Sequence, residues 1–535
     1  MPSERELTVE RSTAHSRRWQ ILAVLCLSLV LIGLDNLILN LALPKIQTSL
    51  GSTGTELQWI VDSYTLAFGG LLLLCGSLAD RFGRKRLLLT GLLIFMGFSV
   101  AAAFADGSTA LIALRAAMGV GAAMIMPATL SIIKDVFPPE EQAKAIGIWA
   151  GTAALGVPLG PVVGGLLLEH FWWGSVFLIN APVVVVAFLA GVKLIPESRN
   201  EKHPGLDLLG ALLSVLGLVA LVYGLVEASR NGWTDVVTLG SLGGGVLLLV
   251  AFVLWERRTP CPMLMPELFR DSRFGGAAAA ITAISFGMYG ALFVLTQYLQ
   301  FVLAYEPLEA GLRLMPIATM IFAAPLSPKL VERVGMKWVV AGGMVLITAS
   351  MALTAGAGVD SEGRILVSLA LFGLGMGLGM PASANAMLAA APRGQSGAGS
   401  AVTDAAMQVG GALGIAVIGS VLSTSYRDGL PALDGLPGPA ADAVSDSVGA
   451  ATTVAGSVGG PQGRALLETA RDAFIGGLGD ALLAGAGVTA AGVLVALVVL
   501  PGARARAAAA EAAAESTVPG AAQARESAGT HGAPL

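Results

Sequence analysis

Asp35 stands in the stretch Leu34-Asp35-Asn36-Leu37-Ile38-Leu39-Asn40-Leu41-Ala42-Leu43-Pro44, where Asn36 and Asn40 share a helix face at i, i+4. A carboxylate in such apolar surroundings loses hydration, which favours its protonated form, so Asp35 is a candidate for taking up and releasing a proton near neutral pH. The rival reading is a structural acid bonded to a neighbouring helix. Arg115 lies in Leu111-x-x-x-Arg115-x-x-x-Gly119-x-Gly121. It either faces a polar interior with a partner or snorkels to the interface. Asp404 precedes Gln408 on one helix face and is a second proton-site candidate. Asp62, beside Trp59 and Tyr64, reads as an outer-vestibule carboxylate or an interfacial one. Tyr289, Phe293 and Gln297 recur every four residues. Such a stripe can hold planar or cationic guests by stacking and cation–π attraction, with plain core packing as the competing meaning.

These residues need elements that carry them at lipid depth. Of 535 residues 55% are apolar and 13% charged, a balance foreign to soluble domains. The apolar residues come in blocks of about twenty, the length an α-helix needs to cross a bilayer. Fourteen spans are expected, starting near residues 20, 56, 87, 110, 143, 174, 206, 237, 274, 309, 337, 364, 398 and 477. Most of the 32 Lys and Arg fall in the two ends and the even-numbered loops, so both termini are expected in the cytoplasm.

The expected organisation is a tail over 1–19, a first six-helix bundle over 20–195, and a linker with two inserted helices over 196–265. A second six-helix bundle over 266–500 follows, with a long, at best partly ordered outer connection at 425–476, and then an Ala-rich tail over 501–535. One internal repeat is visible. Gly76-Ser-Leu-Ala-Asp80-Arg81-Phe-Gly83-Arg84-Lys85 is echoed by Pro328-Lys-Leu-Val-Glu332-Arg333-Val-Gly335-Met-Lys337. Duplicated halves with a site between them are common among secondary transporters.

The first of those loops, G-x-L-A-D-R-x-G-R-K, resembles the signature loop of the major facilitator superfamily. The Arg115 segment resembles that family's second motif, with Met118 where Gln is usual. Gly156-Val-Pro158-Leu-Gly160-Pro161-Val-Val-Gly164-Gly165 is similar to its antiporter motif, and the Asp35 segment to that of the fourteen-helix drug:proton antiporters. The resemblance implies an all-α integral membrane protein of the major facilitator fold, with two six-helix bundles and two inserted helices. It implies export of small amphipathic or cationic molecules against protons by alternating access, by a monomer in the cytoplasmic membrane. Asp35, Arg115 and Asp404 would couple protons. Asn36, Asn40, Asp62, Trp59, Tyr64, Tyr289, Phe293, Gln297 and Gln408 are the candidates for touching the guest. Gly76, Asp80, Arg81, Gly83, Arg84, Glu332 and Arg333 would latch conformations. Glycines at 156, 160 and 164 form one small-residue stripe, and Pro158 and Pro161 favour a bend, as a rocking interface needs, with plain helix packing as the competing reading of the stripe.

Other classes fit poorly. A formal net charge of −4 without basic–aromatic runs argues against nucleic-acid binding. Cys26, Cys75 and Cys261 have no metal-ligand spacing. The first apolar block is too long for a signal peptide. Neither G-x-x-x-x-G-K-[ST] nor H-E-x-x-H occurs, so an ATP-driven pump or membrane enzyme is remote and no cofactor is expected. The nearest alternative is a facilitator or symporter for a metabolite on the same fold.

Overall fold

A computed structural model describes residues 17–52, 54–198, 207–259, 266–358, 361–390, 396–431 and 436–500. Among them every regular element is helical and none is a strand. Lipid cannot satisfy backbone polar groups, so long uncharged runs of Leu, Ala, Val and Gly close their hydrogen bonds internally. The helices are α1 (Arg18–Leu50), α2 (Gly54–Phe82), α3 (Arg84–Ala103), α4 (Ser108–Val136), α5 (Pro139–His170) and α6 (Asn180–Leu194). Then come α7 (Leu208–Asn231), α8 (Val236–Glu256), α9 (Ser272–Gln297), α10 (Pro307–Arg313), α11 (Ser327–Val334), α12 (Met336–Ala355), α13 (Glu362–Ala390) and α14 (Ser396–Gly429). The last are α15 (Gly438–Asp446), α16 (Val448–Val458) and α17 (Gly460–Val499).

Thirteen stretches of the described residues are long and apolar enough to cross a membrane, one of them running from α10 into α11. The 32-residue α5 packs among them and brings the long helices to the fourteen expected. The tenth span is broken because Pro316, Pro325 and Pro328 interrupt its ladder and leave short 3₁₀ pieces between α10 and α11.

The repeat runs deeper than the loop that announces it. Gly83 (φ 110°) precedes α3 and Gly335 (φ 90°) precedes α12, both helices being 20 residues long. Next come α4 and α13, each of 29 residues, with Met126-Pro127-Ala128 and Met380-Pro381-Ala382 at the same place in each.

Helices α7 and α8 form an inserted hairpin, started by the side-chain caps Asp207 (to Gly210 N, 2.9 Å) and Asp235 (to Val237 N, 2.8 Å). Gly217, Gly224 and Gly245 let the pair pack backbone to side chain, while Val236, Leu247 and Leu254 of α8 stay exposed, as lipid-facing residues should. Against the other flank of α7, Trp59 of α2 stacks on Tyr223 at 6.2 Å, and Gly70 makes room for Val219. The hairpin turn also reaches α14, where Trp233 Nε1 donates to Ser420 Oγ at 3.0 Å. The insertion therefore touches α2 and α14 at once.

The connection over 425–476 departs from the expectation of partial order. Its described residues are helical: α14 continues to Gly429, α15 and α16 follow, and α17 begins at Gly460 rather than near 477. Burial of Val444, Val448 and Ala451 explains this order. The Tyr426 hydroxyl donates to Val444 O (2.9 Å), Gly449 lies on the Phe301 ring, and Arg471 Nε donates to Phe301 O (3.2 Å). Composition alone, rich in Gly, Ala and Ser, hides these few anchors.

Candidate functional site

Asp35 and Arg115 meet in the middle of the first six helices. Arg115 Nη1 donates to Asp35 Oδ2, and both side chains are sealed from solvent, at 0% and 2% exposure. Arg115 Nε also donates to Ile60 O (3.3 Å), and its guanidinium lies 4.3 Å from the centroid of the buried Tyr64 ring. The other carboxylate oxygen is held too: Asn180 Nδ2 donates to Asp35 Oδ1 at 2.9 Å. The same amide nitrogen donates to Ser99 Oγ (2.9 Å), and the Ser99 hydroxyl donates to Phe177 O (2.9 Å). Five helices thus contribute, α1 through Asp35, α2 through Tyr64, α3 through Ser99, α4 through Arg115 and α6 through Asn180. A buried ion pair gains most from its mutual attraction when the remaining hydrogen-bonding capacity is met. Here both carboxylate oxygens are met, while Arg115 Nη2 has no hydrogen-bond partner among the described residues and its guanidinium lies over the Tyr64 ring.

Asp404 is in a different situation. It is 1% exposed, and neither carboxyl oxygen has a hydrogen-bond partner among the described residues. One turn before it, Ser400 and Ser131 of α4 exchange a hydrogen bond of 3.2 Å. Close by in sequence, Lys134 at the end of α4 donates to Leu388 O near the end of α13. Cationic groups are favoured at a helix C-terminus. Early and late helices are therefore tied together on the face where α1 starts.

On that face the loop between α2 and α3 forms a charge cluster. Arg84 donates to Asp80 (2.9 Å) and to Asp135 of α4, with Asp80 and Arg84 nearly fully buried. Gly83 needs its positive φ, and a Cβ there would collide with the Glu197 carboxyl group. Arg84 N donates to Ser198 O (3.0 Å), Lys85 Nζ to Val192 O (2.8 Å), and Arg86 pairs with Glu197 at 3.4 Å. Burial pushes the Glu197 carboxyl above its ordinary value, against the Ser198 N–H and Arg86, which pull it down. The segment after α6 is thereby strapped over the loop.

The family model described as the Major Facilitator Superfamily matches residues 25–415. The chain belongs to that superfamily. It is 36% identical over 465 residues to the methyl viologen resistance protein SmvA of Salmonella typhimurium, covering 86% of this chain and 93% of that protein. It is 34% identical to the multidrug efflux pump LfrA of Mycolicibacterium smegmatis (88% and 94% covered) and 33% to the tetracenomycin C resistance and export protein of Streptomyces glaucescens (91% and 92%). Among solved structures it resembles the human organic anion transporter MFSD10 (TM-score 0.56, 14% identity, covering 93% of this chain and 100% of that one). It also resembles a bacterial homologue of the lysosomal transporter Spinster (TM-score 0.55, 18% identity, 90% and 97% covered). The all-α major facilitator fold expected from sequence is the fold found. The protein is a multi-pass membrane transport protein rather than an enzyme, and it moves small molecules.

Within this superfamily member, the residues singled out by sequence separate into groups. Asp35, Arg115 and Tyr64 come together, as do Asp80, Arg84 and Gly83, while Arg81 lies over Phe82 at 5.2 Å and Gly76 is buried. Trp59 faces the inserted hairpin. Asp62 and Gln408 are half-buried. Tyr289 packs against Gly411 and Phe293 against Gly419, so that stripe meets the glycine face of α14, and Gln297 donates back to Phe293 O. Gly156 and Gly164 face Gly33, Ile38 and Leu41 of α1, Gly160 is buried, and Gly165 has open space. The stripe thus packs α5 inside the first six helices. Contact with the later helices falls instead to Gly147, whose Cβ would lie 3.0 Å from Ala324 O, and Gly151, opposite Ile321. Glu332 and Arg333 are exposed and form no ion pair among the described residues. The side chains of Asn36, Asn40, Pro158 and Pro161 lie outside the described residues.

Sequence reasoning missed Asn180, Ser99, Asp135, Lys134 and Glu197. Asn180 could have been found as a lone amide in an apolar run, Phe177-Leu-Ile-Asn180-Ala-Pro-Val. Ser99 carries no comparable signal.

Proposed function

We propose that this transporter is a proton-coupled antiporter exporting small amphipathic or cationic drugs across the cytoplasmic membrane, with both termini in the cytoplasm and a monomer as the working unit. The exporter class follows from what its relatives are named for. The observation that supports proton coupling is the sealed Asp35–Arg115 pair. A proton delivered to Asp35 removes the charge that holds Arg115, and a buried guanidinium left without its counter-ion costs several kcal/mol. Protonation therefore biases the packing of α1 against α4. Asp404 supplies a second site. A carboxyl group with no partner in an apolar surround is cheaper neutral than ionised, so it holds a proton in this arrangement and releases it where water reaches α14. Entry of each proton charge supplies about 2.3 kcal/mol per 100 mV.

The two halves rock about the α2–α14 and α5–tenth-span contacts. The Lys134–Leu388 and Ser131–Ser400 hydrogen bonds hold them together on the basic face, where the Asp80–Arg84–Asp135 cluster fixes the end of α4. The test is ethidium transport by proteoliposomes under an imposed pH gradient. Transport that follows the gradient, collapses with a protonophore and is lost in the Asp35→Asn and Asp404→Asn variants supports the reading. Transport indifferent to the protonophore and to both substitutions defeats it.

A further inference from the structure

Asn180 is tied to Asp35 in a way that depends on the proton itself. An ionised carboxylate can only accept hydrogen bonds, so the Asn180 amide must present Nδ2 to Asp35 Oδ1, as it does at 2.9 Å. That leaves Ser99 Oγ accepting from the same nitrogen and donating onward to the Phe177 carbonyl. All three side chains are buried, at 2%, 3% and 0% exposure for Asn180, Asp35 and Ser99, so no solvent replaces a lost bond. Phe177 belongs to the single helical turn Ser175–Leu178, set directly before α6.

We propose that Asn180 is a positioning residue that reads the protonation of Asp35 and passes it to the turn before α6. When a proton settles on Asp35 Oδ1, that oxygen becomes a donor and faces the donor Nδ2. The conflict is relieved when the amide turns over and its Oδ1 accepts from the new Asp35 hydroxyl. The Ser99 hydroxyl then finds an acceptor where it had a donor, swings to Asn180 Oδ1, and lets go of the Phe177 carbonyl. No covalent bond changes beyond the added Asp35 O–H. Two hydrogen bonds are exchanged, and one backbone carbonyl at the entrance to α6 is released.

Among the described residues the charged and titratable groups facing Asp35 are few. Arg115 comes from α4, and Tyr64 of α2 lies over that arginine. The faces of α3 and α6 contribute the neutral Ser99 and Asn180, and α5 brings Gly156 against Gly33, two residues before Asp35. The amide is thus the neutral group best placed to set when the acid ionises.

The inference rests on the proposed proton role of Asp35, and the test separates the two. Infrared titration of the purified full-length protein follows the carboxyl band that disappears in Asp35→Asn, with no guest required. Replacing Asn180 by Leu removes the charge-assisted hydrogen bond to the ionised form and the weaker neutral one to the protonated form. The pH at which half of that band is lost is then expected to rise by roughly one unit, the difference between the two bonds. Asn180→Gln, which keeps an amide, restores most of the wild-type position. Ser99→Ala leaves the Asp35 midpoint near wild type but uncouples it from ethidium transport, whose pH profile flattens. An Asn180→Leu protein with normal thermal stability and an unmoved band overturns the inference, even if wild-type transport is proton-coupled. If the wild-type band does not titrate at all, the proton role of Asp35 falls and the relay with it.

Discussion

A buried arginine and a buried aspartate that satisfy each other are mutually dependent, and their energetics are asymmetric. Removing Arg115 as alanine leaves the Asp35 carboxylate sealed beside Asn180 with no counter-charge. Such a loss costs about 3–5 kcal/mol. Thermal melting of Arg115→Ala in detergent is expected to show that loss, and adding Asp35→Asn is expected to recover much of it, since a neutral amide needs no cation. Equal destabilisation by single and double variants would mean that packing rather than charge dominates there. The pair was half legible in sequence, because charged residues in apolar runs are conspicuous and each demands a partner. Which partner belongs to which was not legible. The two are 80 positions apart, and only the crossing of α1 and α4 brings them together. Asn180 and Ser99 were hidden for a related reason: amides and hydroxyls are common in membrane helices, and burial alone reveals what they hold.

At the scale of elements, the loop before α3 depends on one glycine and one carboxyl group. Gly83 takes a backbone conformation that costs other residues about 1–3 kcal/mol, and its missing Cβ is the space Glu197 fills. Gly83→Ala should destabilise the fold by an amount in that range, seen as a lower melting midpoint. Gly335→Ala should show a backbone cost in the same range, since Gly335 also takes a positive φ of 90°. Glu197 gives the strap a pH dependence whose sign follows from its raised folded value. The stabilisation is complete below the carboxyl range of the unfolded chain and is lost as pH rises through the higher folded value. A pH series of melting curves should contain this falling component in the wild type and lack it in Glu197→Gln. The motif marked this loop and its echo at Gly335 in the sequence, though not the partners Asp135 and Glu197 that hold the first of them. The larger echo, Met-Pro-Ala in α4 and α13, was equally present in the letters. It escaped because the flanking residues differ and only the equal helix lengths align them.

For the whole molecule, the functional contact is the seam between early and late helices. The Gly156–Gly164 stripe reads in sequence either as a moving surface or as plain helix packing, and in the structure those glycines pack α5 on α1. A small-residue stripe signals close approach without saying what approaches. Gly147 is the seam residue, with the Ala324 backbone against it. Gly147→Val should wedge α5 from the tenth span at about 1–3 kcal/mol, a shift of roughly 5- to 150-fold against the closed basic face. Cysteine accessibility on that face would register the shift, while melting should change little if the wedge opens the seam without disturbing α1–α5 packing. Unchanged accessibility would place the hinge elsewhere.

The small helical platform formed by α15 and α16 has a practical use. It is anchored through Tyr426, Phe301 and Arg471, all on the later helices, and is made of two short helices between membrane-length ones. An antibody fragment raised against it would add a rigid fiducial mark for single-particle imaging. Because the mark rides with one half only, its angle to the detergent belt would report the swing of that half image by image.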